Sequence, residues 1–357
     1  MNTLKRFLAI TLCFALMVAC LVGCHQKGEI AVKIGDVEFT SGYYACALVF
    51  SDSEARGKVE ESMDSDDQSD DIDYYSQKIE DTDYVEWVEK NTIDTLKDLA
   101  AVKTLCKEAG VELDDETVSQ SESNADYLWD TAGYSLLLEA NGVSKETFSR
   151  YMLDSYLADE YFDHVYGKGG EKEISADKLL EQLTGNYVLV NKIEVDLSSL
   201  EDEEKTDKQN QLAAYEDTLK KGTKTFEEIY LEYNNISADE HTHEEAEEGE
   251  LAPLDAHATV IGSEDTDYSS DYYKDAKEMA VGEVKVVTKD SSIALIVKKD
   301  IAADPYYIDE FDSILRNDIA GDDYKDEIAD YGDKLPCDVN KSSTKQFKVK
   351  KIVYPEQ

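Results

Sequence analysis

Residues 187–300 constrain the fold most, because strand and helix patterns follow one another there in a definite order. The apolar run over residues 187–195 is typical of a largely buried strand. Helical spacing follows, including the segment 226–233, and the turn Val-Gly-Glu-Val at 281–284 leads into a second apolar strand pattern at 293–297. The order strand, helix, helix, strand, strand predicts a compact α/β module.

The sequence on either side of this module is dominated by helical periodicity. Residues 42–167 predict an all-helical arm, with one of its helices over 127–140, and the glycine-rich stretch 167–170 marks a boundary. Beyond the module, residues 306–331 predict a further helix, and the alternation at 347–353 predicts a closing strand. The predicted fold class is therefore α+β, a helical arm with a returning C-terminal helix and an inserted α/β module.

The first residues carry the most specific motif in the chain. A basic start precedes the apolar stretch 7–22, and Leu-Val-Gly leads directly to Cys24. This pattern resembles a bacterial lipoprotein signal, which implies a signal peptide over residues 1–23 and a lipid anchor on Cys24. Cys20 is a weaker second candidate. An uncleaved membrane anchor is the alternative, but about 16 apolar residues are few for a bilayer core of ~30 Å. We therefore expect a location on the outer face of the cell membrane.

The charge balance excludes one class of partner. The chain has 80 acidic and 36 basic residues, which gives a net charge of −44. Because a phosphate-binding face requires clustered Lys and Arg, nucleic acid is not expected as a partner. Such an acidic surface favours solubility through self-repulsion, and cation buffering is the alternative interpretation.

Three cysteines remain beyond the signal, at positions 46, 106 and 337. An odd and widely spaced set does not predict a disulfide framework. Cys46 and Cys106 lie in apolar patterns, so we expect both to be buried as small hydrophobic residues.

Four short stretches along the chain match the motifs of one family. Residues 32–36 read Val-Lys-Ile-Gly-Asp, residues 107–111 read Lys-Glu-Ala-Gly-Val, residues 219–233 space Leu, Gly, Phe and Tyr along a helical pattern, and residues 281–284 read Val-Gly-Glu-Val. In this order they resemble the extracytoplasmic foldases of the PrsA/SurA type, which carry a parvulin-like prolyl isomerase domain between chaperone arms.

The resemblance implies a domain organisation and a function. Residues 24–170 would form the N-terminal helical domain, residues 171–302 the parvulin-like module, and residues 303–357 a C-terminal helix and strand that pack back on the N-terminal domain. It implies a membrane-anchored folding factor whose partners are unfolded or extended exported polypeptides. No cofactor is expected.

The resemblance also places the positions of the isomerase site. Prolyl isomerisation crosses a barrier of about 18–20 kcal/mol, and parvulin-type sites favour the twisted amide through paired histidines and a Cys or Asp beside an apolar pocket. The two histidine positions fall at Lys192 and Ala294, the acidic or thiol position at Glu250, and the aromatic position at Tyr272. Because both histidines are replaced, we expect a retained fold with weak or lost isomerase activity.

A second candidate site lies in the insertion at 237–248. His241 and His243 are two positions apart among Asp and Glu residues, a donor set that could bind Zn²⁺. The alternative is a solvated acidic loop, since nothing in the sequence orders these ligands. His257 and His164 are expected in surface or helix-cap roles. An envelope lipoprotein that binds a divalent metal or a small ligand is therefore the second functional hypothesis.

Overall fold

The computed structural model divides the chain into two compact units. Unit 1 comprises Met1–Lys172 together with Asp323–Gln357, and unit 2 comprises Glu173–Asp322. Helices and small antiparallel sheets both occur, which confirms the α+β class. The predicted signal peptide and Cys24 lie outside the described residues, which are 29–63, 72–237, 241–242, 251–264 and 266–355.

Helices account for most of the described secondary structure. Within those ranges, no helix combines the length and apolar character that crossing a membrane requires. Three short 3₁₀ helices cover Tyr74–Ser76, Ile301–Ala303 and Val349–Lys351. The α-helices are α1 (Ser41–Glu61), α2 (Tyr84–Ala109), α3 (Asp115–Asp130), α4 (Tyr134–Ala140), α5 (Lys145–Tyr166), α6 (Ala176–Asn186), α7 (Asp202–Lys220), α8 (Phe226–Asn234), α9 (Tyr273–Glu278), α10 (Pro305–Glu310), α11 (Asp312–Lys334) and α12 (Lys341–Thr344).

The strands form three small sheets. Strand order is β2-β1-β9 and β3-β4 in unit 1 and β6-β5-β8-β7 in unit 2, and all of these pairs are antiparallel. The strands are β1 (Ile30–Ile34), β2 (Val37–Thr40), β3 (Lys78–Ile79), β4 (Thr82–Asp83), β5 (Tyr187–Asp196), β6 (Ala258–Gly262), β7 (Val284–Thr288), β8 (Ser292–Lys298) and β9 (Cys337–Val339).

Helix α1 lies at the centre of unit 1. Thr40 caps it, because the Thr40 hydroxyl accepts a hydrogen bond from the Tyr43 amide at 3.3 Å. Every residue over 43–49 is buried, so the helix contacts neighbours all round instead of along one stripe. One side packs on β1 and α2, and the other packs on α3 to α5 around Trp129 and Phe148.

The four-stranded sheet of unit 2 has helices on both faces. Side chains alternate along β5. Val188 and Val190 point to the face that α9 covers, whereas Ile193 and Val195 point to the face that α7 and α8 cover. The sheet is therefore the middle layer of unit 2.

The structure bears out the predicted burial of Cys46 and Cys106 and corrects several of the predicted elements. The arm predicted as all-helical over 42–167 also contains the strand pair β3–β4, and the module contains β6 and α9 in addition to the predicted order. The single helix predicted over 127–140 is wrong, because Gly133 separates α3 from α4 with a left-handed φ of 82°. The helix predicted over 306–331 is interrupted at Phe311, whose ring packs against Tyr187 at 5.1 Å between centroids.

The strand predicted at 347–353 is also wrong, since Val349–Lys351 form a 3₁₀ helix. Phe347, Val349 and Ile352 all pack into the core of unit 1. Their spacing of two and then three residues does not fit the two-residue repeat of a strand.

Candidate functional site

The predicted histidine positions of the isomerase site lie on one face of the unit 2 sheet. In the β5–β8 pair, Lys192 lies opposite Ile296 and Glu194 lies opposite Ala294. Directly paired residues point to the same face, and so do alternate residues along a strand. Lys192 and Ala294 therefore share the face that α9 covers.

Tyr272, immediately before α9, closes this face. It packs in one core cluster with Ala294, and the two residues are 1% and 0% exposed. The Tyr272 phenol oxygen lies 2.6 Å from Oγ of Ser292. Nζ of Lys192 lies 5.6 Å from the centroid of the Tyr272 ring, within reach of a cation–π interaction. The structure thus brings Lys192, Tyr272 and Ala294 together, while Glu250 lies outside the described residues.

Two ion pairs lie near Tyr272. Nζ of Lys192 lies 2.6 Å from a carboxylate oxygen of Glu194, and Lys289 forms an ion pair with Asp275 at 2.7 Å. Burial raises the pKa of the Tyr272 phenol above its ordinary value of 10.0, although the Ser292 hydrogen bond acts in the opposite direction. The phenol is therefore protonated at neutral pH and does not act as a general base there.

The cleft beside this face is polar. Its volume is about 260 Å³, which would admit a small ring. A proline ring, however, requires an apolar lining to be held out of water. The cleft is lined by Glu264, Ser269, Ser270, Asp271, Tyr273, Lys274 and Lys289.

The described histidines of unit 2 lie on the other side of the sheet. His241 and His257 approach each other at 3.3 Å between their Nε2 atoms, and His257 packs on Tyr230 of α8. Glu227 is the third potential ligand within reach. His243, the predicted partner of His241, lies outside the described residues. Sequence reasoning missed Glu227 and assigned His257 to a surface or cap role, because no local spacing connects either residue to His241.

Unit 1 contains an open cleft that no sequence motif marked. It has a volume of about 430 Å³. Leu136, one of its lining residues, has a large apolar side chain that is 58% exposed. The cleft is lined by Thr131, Ala132, Gly133, Tyr134, Leu136, Leu137, Tyr354 and Pro355.

Two of the lining residues, Tyr354 and Pro355, belong to an irregular segment of the chain, residues 352–355. The Asn141 side chain binds its main chain on both sides. Nδ2 donates to the Val353 carbonyl at 2.9 Å, and Oδ1 accepts from the Val353 amide at 2.9 Å. These two hydrogen bonds involve only main-chain atoms of Val353, so they do not depend on the identity of the side chain at that position.

The next residue of the segment is anchored by its side chain. The Tyr354 phenol donates to Oδ2 of Asp52 at 2.8 Å, and the guanidinium of Arg56 lies 4.0 Å from the centroid of its ring. Burial is the main cause that raises the pKa of this phenol. Unit 1 therefore combines main-chain recognition, an aromatic anchor and exposed apolar surface in one place.

Comparison with known proteins finds structural likeness of low degree. No family model matches the chain, and no curated protein does. Foldase protein PrsA from Streptococcus pneumoniae str. Canada MDR_19A is 19% identical with a TM-score of 0.39, over 74% of this chain and 92% of that one.

Two further PrsA foldase structures are similar to the same degree. PrsA from Lactococcus lactis is 13% identical with a TM-score of 0.39, over 90% of this chain and 100% of that one. PrsA from Bacillus subtilis is 14% identical with a TM-score of 0.30, over 73% and 90% of the two chains. With these scores below 0.5, the interpretation of each site rests on its own geometry.

Proposed function

We propose that this chain is a membrane-anchored extracytoplasmic folding factor that binds unfolded or extended segments of exported polypeptides in unit 1. The observation that carries the proposal is the grip of Asn141 on the main chain of Val353, at 2.9 Å in both directions. A helical unit that holds one irregular segment through its backbone has the chemistry to hold others.

Such binding suits a partner with no fixed sequence. Hydrogen bonds to the main chain are available in every polypeptide, and apolar surface contributes affinity without strict selection. Exposed Leu136 lines the cleft, and the segment beside it illustrates how unit 1 binds main chain, through the Asn141 amide on Val353. In this proposal an extended client lies in the cleft with its apolar side chains against Leu136.

Unit 2 is, in this proposal, a parvulin-like module with weak or lost isomerase activity. The positions that the family resemblance gives to histidines hold Lys192, which pairs with Glu194, and Ala294, which is buried under Tyr272. A protease-coupled assay on a prolyl peptide tests this part. Turnover comparable with that of an active parvulin would contradict it.

Anchoring is proposed from the sequence. Cys24 would carry the lipid, and the remainder of the chain would lie at the outer face of the cell membrane. Lipidated residues attach firmly when more than one acyl chain is present. Mass spectrometry of the purified chain tests this, since an acylated N-terminal Cys24 is expected and an intact residue 1 would contradict it.

An aggregation assay with a reduced, unfolded secreted protein tests client binding. We expect stoichiometric amounts of the chain to suppress light scattering, and Leu136→Ser to weaken the suppression several-fold. The matched control is Leu254→Ser in unit 2, because Leu254 is also exposed, at 77% against 58% for Leu136. No suppression by the wild type, or equal loss in both variants, would overturn the proposal.

A further inference from the structure

Three side chains of unit 2 converge although they are far apart in sequence. Glu227 lies in the first turn of α8, His241 follows that helix, and His257 immediately precedes β6. One ligand atom from each lies within 4.8 Å of the other two. We propose that Glu227, His241 and His257 form a zinc-binding site.

The separation of the imidazoles fits the ion. The two Nε2 atoms are 3.3 Å apart. Two nitrogens bound to one tetrahedral zinc, each at about 2.0–2.1 Å, lie about 3.3 Å from each other. The distance is therefore already that of two ligands of the same ion.

The elements around the site hold the histidines in place. The ring of Tyr230 lies 4.5 Å from that of His257 between centroids. The His257 amide donates to Oδ1 of Asp255 at 3.0 Å, and the other Asp255 oxygen lies 2.5 Å from Nζ of Lys299. Asp255 is thus a charged support for the turn that presents His257.

His241 is positioned from its own main chain. Its amide donates to the Ser237 carbonyl at 3.1 Å, and Ser237 lies three residues after the end of α8. Its ring lies almost parallel to that of His257, at 10° between the planes. Both rings are half-buried, whereas Glu227 is exposed, which leaves the site open to water on one side.

The donor set selects the class of metal. Two imidazole nitrogens and one carboxylate oxygen suit Zn²⁺, whereas Ca²⁺ and Mg²⁺ require oxygen ligands. Three protein ligands leave a fourth tetrahedral position for water. An ion here would connect α8, the segment after it and the start of β6, and so would stabilise unit 2. The competing interpretation is a hydrogen bond between two neutral imidazoles, which confers no affinity for metal.

Isothermal titration of ZnCl₂ into the full chain tests the site, with protein purified in detergent and without a polyhistidine tag. We expect one saturable zinc ion per chain. His257→Phe keeps an aromatic ring against Tyr230 but removes the ligand, and Glu227→Gln removes a negative oxygen. Each should weaken zinc affinity by about tenfold or more.

Two control variants sharpen the result. His164→Phe in unit 1 and His243→Ala should bind zinc within about twofold of the wild type. Thermal unfolding gives a second measurement, since zinc should raise the midpoint of the wild type and not that of His257→Phe. Absence of saturable binding, or wild-type affinity in His257→Phe, would overturn the proposal. So would loss of affinity in His243→Ala while His257→Phe keeps it.

Discussion

Unit 1 and unit 2 present contrasting surfaces to a polypeptide. The cleft of unit 1, about 430 Å³ in volume, is open and adjoins a segment held through its main chain by Asn141. The face of unit 2 that holds the predicted isomerase positions is closed, because Tyr272 and Ala294 are 1% and 0% exposed. The features suited to binding an extended polypeptide are therefore found in unit 1.

The contrast shows that the order of strands and helices in a module does not determine whether the module catalyses a reaction. The sheet face in unit 2 keeps Lys192, Tyr272 and Ala294 as neighbours, yet two ion pairs lie near it and its cleft is polar. Function follows the groups at a site, and the fold only positions them.

The largest expected effect is on unit 1. Asp52 is fully buried and accepts hydrogen bonds from Arg56, Tyr84 and Tyr354 at 3.0, 2.9 and 2.8 Å. Asp52→Ala leaves a mostly buried guanidinium without its counter-ion, so we expect the free energy of unfolding to fall by about 3–5 kcal/mol. Urea denaturation measures the change.

Asp275→Ala in unit 2 is the matched control for this prediction. The Asp275–Lys289 pair is partly exposed, and its loss should cost only about 0–1 kcal/mol. Similar losses in the two variants would mean that the anchor of residues 352–355 is no stronger than a surface ion pair.

The second prediction introduces imidazoles at the two positions in unit 2 that the family resemblance assigns to histidines. Lys192→His combined with Ala294→His places a large ring where Ala294 is fully buried beneath Tyr272. We expect overpacking to destabilise unit 2 by about 1–3 kcal/mol and prolyl isomerisation to stay low. A stable double variant with parvulin-like turnover would show that only the imidazoles were lacking. Lys192→His alone is the control, because Lys192 reaches solvent.

A smaller effect is expected from Tyr272→Phe. The variant keeps the ring over Ala294 and removes the hydrogen bond to Ser292, which is 2.6 Å long. Thermal unfolding should show a loss of about 0.5–1.5 kcal/mol, with client binding unchanged. A marked loss of client binding in this variant would instead make the unit 2 face a binding surface.

The smallest expected effect depends on pH. Burial, followed by repulsion from Asp94 and Asp333, raises the pKa of Asp98 in unit 1 to about 6. The folded state then holds this proton more tightly than the unfolded state, whose pKa is about 3.9. The stabilisation is present below about pH 4 and is lost as the pH rises towards 6.

Asp98→Asn removes this titration. Relative to the wild type, the variant should gain about 1 kcal/mol between pH 4 and pH 7, because solvent screening reduces the full effect. Melting temperatures of both proteins at the two pH values measure it. An unchanged difference between the proteins would contradict the assigned pKa.

Local chemistry made much of the fold predictable. The continuous apolar run of β5 is typical of a largely buried strand, and Thr225 and Ser175 cap α8 and α6 with their own hydroxyls. The break at Gly133 was missed because apolar spacing continued across it. The left-handed conformation of Gly133 is known only from its backbone φ angle in the structure.

The candidate sites depend on contacts that sequence spacing does not encode. His241 and His257 meet across 16 positions, and Asn141 meets Val353 across 212. Neither pair belongs to a local motif, so their roles follow from how loops and the C-terminal segment return to the units. The Lys192, Tyr272 and Ala294 positions were predicted from the family resemblance. The β5–β8 register explains why Lys192 and Ala294 share one face of the sheet.

Site-specific photo-crosslinking to a reduced, unfolded secreted protein tests the central claim most directly. A benzophenone amino acid replaces Leu136 in the unit 1 cleft or, as the control, Leu254 in unit 2, both of which are exposed. The account predicts strong crosslinks from position 136 and few from position 254. Crosslinks mainly from position 254, or none from position 136, would contradict it.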